Sequence, residues 1–204
     1  MEENKSTEEQ ILEAAEKVFL SKGLKNSKIS DIAELAGVNN ALINYYFRTK
    51  EKLFDKIFED KVRLLVSNFM NVQHQGTTFE ARLRTMIESH FDFLDNNPKL
   101  PAFIYREMSD SSTRIKATIE KIKAYPHSMF ILVDKDLQTE IQKGTIREIS
   151  TVDLLFTIIS LNVMPFLFKP IFQAALNLSE EQIKFMADNR KKEIIETVLL
   201  RIKL

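Results

Sequence analysis

The sequence predicts an all-α protein: a small three-helix N-terminal part followed by a larger helical C-terminal part. Three observations carry this. Only four glycines and five prolines occur in 204 residues, too few for the frequent turns of a β-sandwich or barrel. Hydrophobic residues make up 44 % of the chain, which excludes a disordered chain. Apolar residues also recur at helical spacing along almost the whole length.

The first helix is predicted over residues 7–21. Ile11, Ala14, Ala15, Val18 and Phe19 fall on one face, Thr7 with Gln10 reads as a capping box, and Gly23 stops the helix. A second, short helix begins at Ser27, carries Ile29, Ile32, Ala33 and Ala36, and stops at Gly37. Asn39 is a good N-cap for a third, running to about Tyr46 and burying Leu42 or Ile43 and Phe47. One of the adjacent Tyr45 and Tyr46 is expected to face inward. Helices this short hold only if they pack on the first; the small Ala33 and Ala36 permit that approach.

A long fourth helix is predicted from Lys50 to about Gln73, with Leu53, Phe54, Ile57, Phe58, Val62, Leu65, Val66 and Phe69 as its apolar stripe. A fifth covers 78–95 and a sixth starts at Pro101. A seventh covers 112–124, is interrupted at Pro126 and resumes as an amphipathic stretch through Ile141. The eighth, about 151–164, is apolar on nearly all sides, and Pro165 and Pro170 are expected to break the segment after it. Ser179 with Gln182 is another capping box, opening a last helix that runs to about Ile202.

Charge and absences narrow the function. The chain has 29 basic and 29 acidic residues, so no overall affinity for nucleic acid follows. Locally the balance differs. Residues 1–16 carry six acids and one base, whereas 17–52 carry seven bases and three acids, net +4. There is no cysteine, and His74, His90 and His127 are scattered, so no thiolate or HExxH metal site is expected. The glycine spacing permits neither a P-loop nor a GxGxxG fingerprint, which argues against a helical enzyme. The acidic, polar start is the opposite of a secretory signal, and the 15-residue uncharged run between Asp153 and Lys169 contains Pro165, too short and broken for a membrane span. A cytoplasmic protein without cofactor, metal or membrane partner is expected.

Ala14-Ala15 with Phe19, then Gly23, Ser27 five residues before Ile32-Ala33, Ala36-Gly37-Val38, the aromatic pair with Phe47, and Lys50-Glu51 with Leu53 form a specific pattern. Over about residues 8–60 it resembles the DNA-binding domain of TetR-type transcriptional regulators. The resemblance implies a helix-turn-helix over residues 1–50, an effector-binding and dimerisation part over 51–204, and a homodimer on double-stranded DNA with a palindromic operator. A helix-turn-helix puts the N-terminal end of its second helix nearest the base edges, here Asn39, Asn40, Ala41, Asn44 and Tyr45; Asn39 could equally serve only as a cap. The resemblance also implies phosphate contacts from Ser27, Tyr46 and Lys50, with Lys28, Lys25 and Arg48 near enough to join. Asn44 stands where many members carry a tyrosine, which leaves its role open between base and phosphate.

In such regulators the C-terminal half binds a small molecule and dimerises through the last two helices. A repressor released by a small hydrophobic effector is therefore expected; control by a protein partner is the alternative. Met and Phe suit an adaptable apolar cavity or plain core. The effector candidates are Phe69, Met86, His90, Phe91, Tyr105, Met108, Tyr125, Met129, Phe130 and Phe156. The all-round apolar eighth helix calls for cover from a second copy, with Leu155, Ile159, Ile195, Leu199 and Ile202 as the candidate dimer interface.

Overall fold

The computed structural model describes residues 5–70, 78–110 and 112–204, leaving aside a few side chains within helices. The described residues form helices and connecting turns, with no strand. The helices are α1 (Thr7–Asn26), α2 (Ile29–Ala36), α3 (Asn40–Phe47), α4 (Lys50–Met70), α5 (Phe79–Asn96), α6 (Leu100–Asp110), α7 (Ser112–Ile122), α8 (Ala124–Gln142), α9 (Thr151–Leu176) and α10 (Glu180–Ile202). They divide into two compact units, one of 1–64 with 102–121 and the other of 65–101 with 122–204. A boundary drawn at 50/51 falls at the start of α4, whereas the first unit continues along that helix to Leu64.

In the first unit, α1 packs on α2 and, through Phe19 against Phe54 at 5.0 Å, on α4. Its Ile11, Ala14, Ala15, Val18 and Phe19 face is buried, as are Ile32, Ala33, Ile43, Leu53, Phe54 and Phe58 of α2, α3 and α4. Phe103 of α6 completes an aromatic cluster, with ring centroids 5.7 Å from Phe54 and 5.8 Å from Phe58. The cap of α1 differs from expectation. Ser6, not Thr7, accepts from Glu9 N, and the Glu9 carboxylate accepts from Ser6 N at 2.8 Å. The box is shifted by one residue because Glu, a charged acceptor, binds the free N–H better than Gln10 would. Gly23 (φ 72, ψ 178) breaks the helical path without ending the element, which resumes to Asn26.

In the second unit, α5, α8, α9 and α10 enclose a core that includes Leu83, Ile87, Leu94, Leu137, Leu154, Ile158, Ile194 and Val198. Two expectations are corrected here. The break between α7 and α8 falls at Lys123, three residues before Pro126. A proline ring clashes with the carbonyl four residues earlier. For Pro126 that is Ile122, where α7 ends, while Pro126 itself fits the first turn of α8, whose N–H groups need no helical partner. Pro165 and Pro170, in contrast, do not break the chain: α9 runs through both as one helix of 26 residues. Each proline removes one backbone bond, but Ile158, Asn162 and Phe166, buried on either side of Pro165, hold the helix to the core. By length and composition α9 is apolar enough to cross a membrane, with 33 % of its most apolar window buried. The last helix matches its expected signal, including the Ser179–Gln182 capping box.

Candidate nucleic-acid interface and apolar cavity

α3 is eight residues long and turns one face inward. Ile43 is buried, and Leu42 and Phe47 are partly covered. Residues four apart share a helix face, so Asn40 with Asn44 and Ala41 with Tyr45 form a continuous exposed surface. Asn39 is the N-cap, its Oδ1 accepting from Leu42 N at 2.9 Å; its side-chain acceptor is engaged in starting the helix. Neither tyrosine faces inward, contrary to expectation. Tyr45 is 76 % and Tyr46 40 % exposed, packed edge to face at 5.4 Å. Phe47 takes the inward aromatic place, because it follows Ile43 by four residues.

α3 joins α4 through a strained turn. Arg48 has φ 68 and ψ −54, and Thr49 N donates to Phe47 O at 2.8 Å. This is a γ-turn of positive φ, a rare conformation for a residue with a side chain. It leaves Arg48 exposed beside the α3 face. Lys28 is exposed at the start of α2. Lys22 donates to Asp31 at 2.6 Å, and this bond holds the Asp31 carboxyl below its usual range.

Two expected phosphate ligands are turned inward instead. Ser27 is 3 % exposed, and its Oγ donates to Leu24 O at 3.0 Å. Lys50 Nζ donates to both Leu24 O and Ser27 O at 2.9 Å. Glu107 of α6, also buried, accepts from Leu24 N at 3.4 Å. The peptide groups around Leu24 are thus held by side chains from α4, α6 and the α1–α2 link. No sequence pattern pointed to Glu107; a carboxylate on the buried face of α6 is its only trace.

The effector candidates are scattered by the structure. Met86, His90 and Phe91 are buried on α5, and Phe130 packs against the same core from α8. Tyr105, Met108 and Phe156 are exposed, and the side chains of Phe69, Tyr125 and Met129 lie outside the described residues. Of these seven, Phe91 alone lines a cavity of about 630 Å³. It lies between the second half of α9 and the first half of α10, against the C-terminal end of α5. Phe166, Phe168, Phe172, Ile183, Phe185 and Met186 line it, with Asp95, Lys169, Arg190 and Glu193 as charged neighbours. The repeat Met164, Phe168, Phe172 at four-residue spacing is the sequence signal that marks this wall. The candidate interface residues divide as well. Leu155, Ile195, Leu199 and Ile202 are buried within the unit's own core, and Ile159 is exposed together with Val152, Phe156 and Leu200. A helix that is apolar on nearly all sides does not tell which face the chain itself covers.

Residues 11–57 match the bacterial regulatory proteins of the tetR family, and residues 58–163 match the C-terminal region of YsiA-like proteins. The chain belongs to the TetR family of transcriptional regulators. It is 29 % identical over 140 residues to the fatty acid metabolism regulator protein of Bacillus subtilis, covering 68 % of this chain and 70 % of that one. Among solved structures, the regulator PfmR of Thermus thermophilus superposes with a TM-score of 0.67 at 19 % identity, covering 91 % of this chain and 97 % of that one. FadR of B. subtilis in complex with stearoyl-CoA superposes with a TM-score of 0.65 at 21 % identity, covering 92 % and 97 %. These likenesses establish the fold; the family assignment establishes a DNA-binding transcriptional regulator.

Proposed function

We propose that this TetR-family regulator is a homodimeric, cytoplasmic repressor released from a palindromic operator by a long-chain acyl effector. The apolar cavity of about 630 Å³ beside α9 carries the effector reading. Its phenylalanine and methionine walls suit an alkyl chain, and Lys169 and Arg190 at the same cavity suit an anionic head. The relative solved with stearoyl-CoA gives the chemical class.

On the DNA side, Asn40, Ala41, Asn44 and Tyr45 form the groove-facing surface of α3, with Tyr46, Lys28 and the N–H groups opening α2 at the phosphates. Functionally the division is residues 1–50 for DNA and 51–204 for effector and partner. The exposed apolar stripe of Val152, Phe156 and Ile159 on α9, with Leu200 on α10, supports a second copy as its cover. Release requires only that the effector prefer a form with lower operator affinity; a difference of about 1–3 kcal/mol suffices.

Calorimetric titration with stearoyl-CoA, acetyl-CoA and free CoA tests the effector. Stearoyl-CoA should bind the wild-type chain, the two short compounds should not, and Phe172→Glu should weaken the long-chain compound at least tenfold. Binding that ignores chain length or the Phe172 substitution would refute the assignment.

A further inference from the structure

We infer that Lys50 is a positioning residue of the DNA-binding surface: with Glu107 it clamps the Leu24 peptide and so fixes how α2 and α3 are presented, rather than neutralising a phosphate. This rests on α2 and α3 being the pair that engages DNA.

Leu24 follows Gly23, where α1 leaves the helical path, and precedes α2 by a few residues. Its carbonyl accepts from Lys50 Nζ at 2.9 Å and from Ser27 Oγ at 3.0 Å. Its N–H donates to the buried Glu107 carboxylate at 3.4 Å. The same ammonium donates to Ser27 O at 2.9 Å, one residue before the N-cap of α2. Two of the three ammonium donors are therefore committed to backbone oxygens.

The acceptors are well matched to a cation. Carbonyls at the end of a helical stretch carry partial negative charge and lack helical partners. The α6 side is anchored too. Arg106 Nη2 donates to Phe19 O at 3.2 Å, and its Nε is 3.6 Å from Glu107. Lys50 is the first residue of α4, so the clamp joins the starts of α2 and α4 to the end of α1. A rotation of α2 would pull Ser27 O from Lys50, and α3 would follow through its packing on α2.

The two roles separate in the salt dependence of binding. A phosphate ligand contributes about 0.9 to the slope of log affinity against log salt on every sequence. A positioning residue changes discrimination between sequences and leaves that slope unaltered. The probes are a duplex selected by the wild-type chain from a random-sequence pool and a scrambled duplex of the same length. Lys50→Met keeps the aliphatic stem and removes the donors; it should lower affinity for the selected duplex about tenfold or more, a loss comparable to a mismatched base pair, while the scrambled duplex binds as before and both slopes stay unchanged. Lys50→Arg keeps the charge and can reach both carbonyls, and it should recover most of the discrimination. In the free protein, amide exchange at Leu24 should quicken in Lys50→Met.

A slope reduced by about 0.9 on both duplexes would overturn the inference in favour of a phosphate contact. Equal losses on both duplexes at constant slope, or unaltered exchange at Leu24, would overturn it as well. Failure of the wild-type chain to select any sequence would refute the DNA surface itself, an outcome distinct from any of these.

Discussion

Asn162 Nδ2 lies 3.0 Å from Nδ1 of His90, and the two residues form a polar seam between α9 and α5 inside an apolar core. The same amide donates to Ile87 O at 3.1 Å. Because a carbonyl can only accept, Nδ2 must face Ile87, and His90 Nδ1 accepts in the neutral tautomer protonated on Nε2. Burial disfavours the imidazolium and pulls the His90 pKa down to about 4.

The sign of the resulting pH dependence follows from that shift. The unfolded chain takes up a proton near pH 6.5, whereas the folded chain resists it until about 4, so the unfolded state binds more protons in between. Stability should be full above about pH 6.5 and fall as pH drops toward 4, by about 2 kcal/mol at pH 5. Urea unfolding near pH 7.5 and near pH 5 measures this, and His90→Gln should remove most of the difference. An equal pH dependence in both proteins would show that other groups cause it.

Among the described glycines, Gly23 should be the most demanding. Its φ of 72 with ψ 178 belongs almost to glycine alone, and a Cβ there would meet Arg106 Nε at 2.8 Å. Gly37 (φ 69, ψ 29) is left-handed but has open space. Gly23→Ala should cost about 1–3 kcal/mol, and Gly37→Ala about 1 kcal/mol. Chemical denaturation of the two variants compares them; equal losses would mean that Arg106 yields freely.

Asn44 distinguishes base reading from phosphate contact. It is exposed on the same face as Asn40, where an amide can pair bidentately with adenine. Asn44→Ala should lose about 1–3 kcal/mol on the selected duplex and less on duplexes altered at one base pair per half-site. A binding series over all four bases at each position decides; an even loss would assign Asn44 to phosphate.

On α9, Phe156 is 73 % exposed, whereas Leu199 of α10 is buried in the unit's own core. Phe156→Glu should therefore convert a dimer to monomer while the helical signal and its cooperative melting persist. Leu199→Asp should unfold the chain, since an unpaired buried charge is costly. Sedimentation of Phe156→Glu at the mass of the wild-type species would remove this face from the interface. Association with vesicles in place of self-association would point to a lipid cover for α9.

The helical order of the fold was legible because apolar periodicity, Gly37, Asn39 and Ser179 each act locally. Where a tertiary partner decides, the sequence was insufficient. Pro165 was absorbed because Ile158, Asn162 and Phe166 around it are buried, while the shift of the cap from Thr7 to Ser6 turned on a local choice of Glu9 over Gln10. The α3 surface was legible at Asn40, Ala41 and Asn44, which follow from helical phase. The inward turn of Ser27 and Lys50 was not, because it depends on a carbonyl at Leu24 that residue identity does not reveal. Nor did composition separate Phe91, which lines the cavity, from Phe156, which faces outward.

Operator release is tested most directly by titrating the chain against its selected duplex with and without saturating stearoyl-CoA. The ligand should weaken duplex binding by roughly 5- to 150-fold, and the duplex should weaken ligand binding by the same factor. An identical duplex affinity with the ligand bound would contradict effector control by this class of molecule.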